Sequence, residues 1–122
     1  MSGKSFSVNN AAAAAVTFNP TVTLKDGVQY IDASSTLSSP RLAAIKHNIA
    51  PATQNLASDR HYVQFTKTMF DAAGKAYTAS VGISVVIPRS VIQAGDVADL
   101  RSFAKNLLGT DVIWNGLVQG DY

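Results

Sequence analysis

The sequence predicts an α+β fold in which antiparallel strands come first and two helices follow. Between Arg60 and Pro88, apolar and polar residues alternate along two arms that flank the turn DAAGK, which is the pattern of half-buried strands in a hairpin. After Pro88 the apolar residues recur at the spacing of an amphipathic helix. Strand patterns followed by helix patterns are typical of α+β proteins. With 122 residues, the chain is expected to form one domain, residues 1–122, around one core.

The composition excludes several classes of protein. The chain has no cysteine, which excludes disulfides, thiolate metal sites and thiol nucleophiles. The net charge is +2 and all eight acidic residues are aspartate, so a nucleic-acid partner is permitted but not required. No apolar run approaches the ~20 residues of a membrane span. We therefore expect a soluble, unprocessed protein with no membrane partner.

The N-terminal part of the chain predicts short strands joined by turns. Two strands flank Asn9-Asn10, and Asn19-Pro20 is predicted to break the chain after the second of them. Asp26-Gly27 predicts a further hairpin, and the polar segment Ala33–Pro40 predicts a loop. The strands expected here are Ser5–Val8, Ala13–Phe18, Thr21–Leu24 and Val28–Ile31.

The segment Arg41–Ile49 is compatible with a strand or with a short helix, because its alternation is blurred. If it is a strand that pairs with the first long arm, the residues between them form a loop. One register then places His47 across from His61, and Lys46 beside Tyr62.

The turn between the two long arms sets their register. If Asp71 faces Lys75, the residues between them form a short loop with Gly74 in the left-handed conformation, which is a favoured hairpin geometry. Phe65 then lies opposite Val81, and a slip of one residue would set apolar side chains against polar ones. The other pairs expected are Val63 with Ile83, Thr66 with Ser80 and Thr68 with Thr78.

This register gives the hairpin one apolar face, which the helices are expected to cover, and one face rich in hydroxyl groups. The second arm is the last strand and therefore an expected sheet edge, and it is long, apolar and almost uncharged. Such an edge invites another strand, so a two-fold dimer is expected, with helices that cross onto the partner's sheet. The residues expected at the dimer interface are Val81, Ile83, Val85, Phe103, Leu107 and Trp114.

The C-terminal part predicts one long and one short helix. Asp96 is the candidate N-cap of the first helix and Gly109 its C-terminal stop. Between them, apolar residues from Val97 to Leu108 form one stripe. A second, short helical turn is predicted from Val112 to Val118.

The sequence contains no catalytic or cofactor-binding motif, so no catalytic residue, metal ligand set or cofactor is predicted. His47 and His61 are compatible with a metal pair or an acid/base pair, but two ligands without a third are weak for zinc. Partly buried structural histidines are the favoured interpretation. The hydroxyl-rich face is either an ordinary solvated surface or an acid-free surface that holds phosphates and stacks a base.

Segments along almost the whole chain resemble, in order and spacing, the coat proteins of single-stranded RNA bacteriophages (the levivirus group). The similar segments are AVTFNP, DGVQYIDASS, SSPRLAAIKHN, RHYVQFTKTMF, SVGISVVIP, GDVADLRSFAKNLLG and the terminal GDY. The resemblance depends on their order, spacing and total length. One departure is the turn DAAGK, where several members of the family have a longer loop that forms contacts around the symmetry axes.

The resemblance implies an N-terminal β-hairpin and a five-stranded antiparallel sheet followed by two C-terminal helices. It further implies a homodimer that assembles into an icosahedral T=3 capsid and binds a stem-loop of the single-stranded RNA genome on the helix-free face, for packaging and for repression of replicase translation. The protein would reside in the virion, and in the bacterial cytoplasm before assembly. The RNA-binding residues expected are Lys46, Tyr62, Gln64, Thr66, Thr78, Ser80, Gly82, Ser84 and Arg41.

The sequence therefore predicts a structural capsid protein without enzymatic activity. One alternative is a small cytoplasmic dimer that binds RNA and forms no shell. Another is a small α+β enzyme in which His47 and His61 are the acid/base pair.

Overall fold

The computed structural model describes residues 3–36, 38–49, 58–88 and 94–121. They form one antiparallel sheet of six strands in sequence order, followed by two helices. The predicted α+β order is confirmed, but the N-terminal hairpin belongs to the sheet instead of preceding it. The strands are β1 Phe6–Asn9, β2 Ala15–Thr23, β3 Gly27–Asp32, β4 Arg41–Asn48, β5 Ser58–Phe70 and β6 Ala76–Pro88, and the helices are α1 Ala94–Gly109 and α2 Asp111–Gln119.

Strand β2 is continuous through Asn19-Pro20, so the predicted break there is wrong. Pro20 pairs with Tyr30, and the register shifts between Pro20 and Val22. A bulge of this kind tolerates proline because the ladder hydrogen bond that proline cannot donate is already interrupted. Phe18 pairs with β1 on one side and with β3 on the other. Strand β2 therefore joins the N-terminal hairpin to the rest of the sheet.

The long hairpin of β5 and β6 has the predicted register, with Phe65 opposite Val81. At the turn, the Asp71 N–H donates to the Lys75 carbonyl at 3.0 Å, and Gly74 has a φ of 83°. The Asp71 side chain accepts two further backbone N–H groups, at 2.9 Å each. The turn is therefore held by its own polar groups. Of the two possibilities for residues 41–49, the structure shows the strand: β4 pairs with β5, with His47 opposite His61.

The buried core lies at the β1–β4 end of the sheet. Its centre consists of Phe18, Val28, Tyr30 and Ala43, which are all buried. The Phe6 ring stacks on Phe18 with centroids 5.2 Å apart. Strand β6 lies at the opposite edge of the sheet, and its side chains are mostly exposed.

The two helices pack against each other and leave the strands of their own chain largely uncovered. Helix α1 begins at Ala94, two residues before the predicted cap Asp96, and ends at Gly109 as predicted. On its apolar stripe, Phe103 is 66% exposed. Helix α2 ends at Gln119 and is capped by Gly120, which has a left-handed φ of 81°. Within the part of the chain that the structure describes, no helix is long and apolar enough to cross a membrane.

Candidate nucleic-acid interface

Strands β4, β5 and β6 align the predicted polar side chains in rows on one side of the sheet. Lys46 pairs with Tyr62, which pairs with Ser84, and Gln64 pairs with Gly82 in the next row. Eight of the nine residues predicted for RNA share this side, because strand pairing aligns residues of equal parity. We call them the hydroxyl face: Lys46, Tyr62, Gln64, Thr66, Thr78, Ser80, Gly82 and Ser84.

The ninth residue, Arg41, lies on the opposite side of the sheet from these eight, so the prediction that it shares their face is wrong. Arg41 pairs with Lys67 in the register, and it shares its side with the buried core residue Ala43. Its Nη2 atom is 2.6 Å from Asp32 Oδ2 and donates to Ser34 Oγ at 3.2 Å. Positions 41 and 46 are an odd number of residues apart, so a regular strand cannot present both on one face.

Asp32 is the partner that holds Arg41, and its side chain is 1% exposed. Its Oδ1 atom accepts the Ser34 backbone N–H at 2.8 Å and the Ser34 hydroxyl at 2.7 Å. Burial raises the pKa of the Asp32 carboxyl, but the hydrogen bonds from Ser34 and the charge of Arg41 outweigh burial and hold the pKa below its usual value. The cluster fixes the loop after β3. The sequence contained a signal for this turn, since an aspartate followed by serines is typical of turns in which a side chain accepts backbone N–H groups.

On the hydroxyl face, the position of the Tyr62 ring depends on Gly82. A Cβ atom added at Gly82 would lie 2.5 Å from the Tyr62 hydroxyl and 3.1 Å from two ring carbons. The Tyr62 ring therefore lies across the bare backbone of β6. The phenol occupies the middle of the face because position 82 has no side chain.

Arg60 is a cation of this region that the sequence prediction missed. It precedes Tyr62 by two residues, so strand alternation places it on the same side, and it pairs with Asn48 and Val86. The alternation pattern was sufficient to find it. Arg60, Lys46 and Tyr62 line a cleft of about 260 Å³. Asp26 also lines this cleft, so one acid lies at this end of the face.

The edge formed by β6 is open along its full length in a single chain. Strand β6 pairs with β5 alone in the described sheet. Val81 is 39% exposed, and the predicted interface residues Ile83, Val85, Phe103 and Leu107 are exposed as well. Trp114 is half-buried and faces Phe65 and Val81 across a cleft of about 520 Å³. The structure thus leaves an apolar edge and an apolar helical stripe without cover.

His47 and His61 form a direct cross-strand pair on the side opposite the hydroxyl face. Their Nδ1 atoms are 2.8 Å apart and their rings meet edge to face, with centroids 5.0 Å apart. Among the described residues, no group of three or more potential metal ligands is present.

Comparisons with solved structures return proteins that share this fold. The virus-like particle of bacteriophage GQ-907 aligns over 94% of this chain and 88% of its own, with TM-score 0.73 and 21% identity. The virus-like particle of Beihai levi-like virus 21 covers 97% and 94%, with TM-score 0.73 and 10% identity. That of bacteriophage ESE058 covers 95% and 93%, with TM-score 0.70 and 14% identity.

The sequence itself matches no protein-family model and no curated protein. The structural neighbours confirm, at the level of the fold, the resemblance seen in the sequence. The chain has the fold of the coat proteins of levi-like bacteriophages.

Proposed function

We propose that this chain is a capsid subunit of an RNA bacteriophage that dimerises through β6, closes into an icosahedral shell and binds RNA on the hydroxyl face. The observation that carries the proposal is the uncovered apolar edge of β6 together with the uncovered stripe of α1. The neighbours of the same fold are virus-like particles. The proposed role is structural, without catalysis.

The proposed dimer covers the surfaces that one chain leaves open. Antiparallel pairing of β6 with its copy satisfies the unpaired backbone N–H and C=O groups of that edge. Two sheets of six strands become one continuous sheet. Phe103 and the rest of the α1 stripe then pack on the partner's apolar side, where each large apolar side chain that becomes fully buried contributes about 1.5–3 kcal/mol.

The hydroxyl face suits RNA because it combines hydroxyl and amide groups with one aromatic ring and nearby cations. Lys46 and Arg60 neutralise phosphates, the Tyr62 ring stacks an unpaired base, and Thr66 and Ser80 exchange hydrogen bonds with base edges. Dimerisation through β6 doubles this surface across the two-fold axis. The proposed ligand is a stem-loop of the single-stranded genome, bound for packaging and for repression of replicase translation. The face would line the interior of the virion, and the subunit would fold in the bacterial cytoplasm before assembly.

The proposal is tested by expressing the protein and examining it by size-exclusion chromatography and negative-stain electron microscopy. Closed particles that contain RNA are expected. The double variant Val81→Lys/Ile83→Lys is expected to form no particles, because charges then oppose packing of the partner's helices. Val86→Lys, on the other side of the same strand and 52% exposed, is the control and should still assemble.

Several outcomes would contradict parts of the proposal. Bare dimers at every salt concentration would exclude a shell, and dimers that bind RNA would favour the small cytoplasmic RNA-binding protein. A well-folded monomer with an unpaired β6 would exclude this strand as the dimer edge. Loss of a turnover activity in His47→Ala/His61→Ala protein would favour the enzyme.

A further inference from the structure

We propose that His47 and His61 form a binding site for a divalent transition-metal ion that prefers tetragonal coordination, represented by Ni²⁺ and Cu²⁺. This site lies on the side of the sheet opposite the hydroxyl face and is independent of the proposed capsid role. Imidazole nitrogen is a preferred ligand of both ions.

The separation of the two nitrogens determines the coordination angle. The Nδ1 atoms are 2.8 Å apart, and imidazole–metal bonds are about 2.0–2.1 Å long. An ion bonded to both nitrogens at this separation subtends an angle of about 85–90°, which is the cis angle of square-planar or tetragonal coordination. The tetrahedral angle of zinc requires nitrogens about 3.3–3.4 Å apart, roughly half an ångström farther than they are.

The backbone places the two histidines opposite each other. His47 and His61 are directly paired residues of β4 and β5. The His47 N–H also donates to the Asp26 carbonyl at 2.8 Å, so β4 is held on both sides at this position. A site carried by paired strands is preorganised, which lowers the entropy cost of binding.

The surroundings leave room for water ligands. Both histidines are half-buried, and His47 lines two clefts, of about 260 Å³ and about 300 Å³. The charged groups of these clefts are Asp26, Lys46 and Arg60 on one side and Lys4 on the other, and Asp59 precedes His61 by two residues on its strand. Cations outnumber acids in the clefts, so affinity must come from the two imidazoles acting together.

The metal-free pair contains an Nδ1 proton that the ion displaces. At 2.8 Å, one Nδ1–H donates to the bare Nδ1 of the other ring. An ion that bonds to both Nδ1 atoms needs both unprotonated, so the donating ring must carry its proton on Nε2 instead, and the neutral pair releases no net proton.

The composition limits which residues can bind the ion. The chain has two histidines and no cysteine, so coordination by two imidazoles can come from this pair alone. Ni²⁺ and Zn²⁺ are titrated into tag-free protein at pH 7.5 by isothermal calorimetry. Ni²⁺ is expected to bind more tightly than Zn²⁺, and His47→Asn or His61→Asn should each lower Ni²⁺ affinity at least tenfold. Asn9→Ala, a change on β1 at the other end of the sheet, should leave it unchanged.

Electron paramagnetic resonance of the Cu²⁺-loaded wild-type protein provides a test that needs no variant. Hyperfine coupling to two imidazole nitrogens is expected. Coupling to one or none, Ni²⁺ affinity that is equal in the wild type and the histidine variants, or tighter binding of Zn²⁺ than of Ni²⁺ would each overturn the proposal.

Discussion

Adding one methyl group at Gly82 is expected to move the Tyr62 ring and weaken binding of single-stranded RNA. The new Cβ would lie 2.5 Å from the Tyr62 hydroxyl, whereas ordinary contact begins near 3.4 Å, so the phenol must shift by about 0.9 Å. The backbone itself accepts alanine, since Gly82 is not among the glycines with positive φ. The variant Gly82→Ala should therefore fold.

The expected loss follows from the stacking energy of a base on an aromatic side chain. Such stacking contributes about 1–3 kcal/mol per base, so displacement of the ring should weaken binding by about tenfold. The free energy of unfolding should change by less than about 1 kcal/mol. Alanine restricts the unfolded chain more than glycine does, and this gain offsets the cost of moving the ring. Fluorescence anisotropy with a labelled RNA measures the first quantity, and urea unfolding measures the second.

A double-mutant cycle with Tyr62→Ala separates the role of the ring from other effects of the methyl group. If Gly82 acts by positioning Tyr62, Gly82→Ala should have almost no further effect on RNA affinity once the ring is absent. An equal loss in both backgrounds would refute this reasoning. Unchanged affinity in the Tyr62→Ala variant would show that Tyr62 stacks no base.

Three further predictions concern single residues. Lys46→Gln should lower the slope of log affinity against log salt by about 0.7, the value for one phosphate contact on a single strand; an unchanged slope would exclude this contact. Arg41→Met should cost about 1–3 kcal/mol at neutral pH in urea unfolding, because the buried Asp32 carboxylate loses its cation and keeps only the hydrogen bonds from Ser34. The pKa of Asp32 in the folded state lies below its usual 3.8. The stability that its interactions contribute is therefore present above pH 3.8 and is lost as the pH falls through the folded-state pKa. A cost of Arg41→Met that stayed constant down to about pH 3 would contradict this pH dependence. Gly74→Ala should cost about 1–2 kcal/mol in thermal unfolding because of its φ of 83° alone, since nothing lies within 4 Å of the added Cβ. Gly109→Ala, equally free of neighbours and without a positive φ, should cost nothing.

The register of the long hairpin was predictable because two independent signals agreed. Alternation fixed which residues share a face, and the turn from Asp71 to Lys75 fixed which residues oppose each other. The same alternation should have excluded Arg41 from the hydroxyl face and included Arg60. Pro20 misled the prediction because a bulge accommodates it, and a bulge is a property of the paired strand that one strand's sequence does not show.

The sequence by itself determined the order of elements and the two faces of the long hairpin, because these depend on local periodicity and turn chemistry. The pairing of His47 with His61 was one possible register, and the packing of β4 against β5 selected it. Only the tertiary structure decided that the N-terminal hairpin extends the sheet and that Arg41 pairs with buried Asp32. The tertiary structure also showed that the Tyr62 ring lies against the backbone of Gly82. These features depend on distances between residues far apart in sequence, and such distances are set by the packing of whole strands.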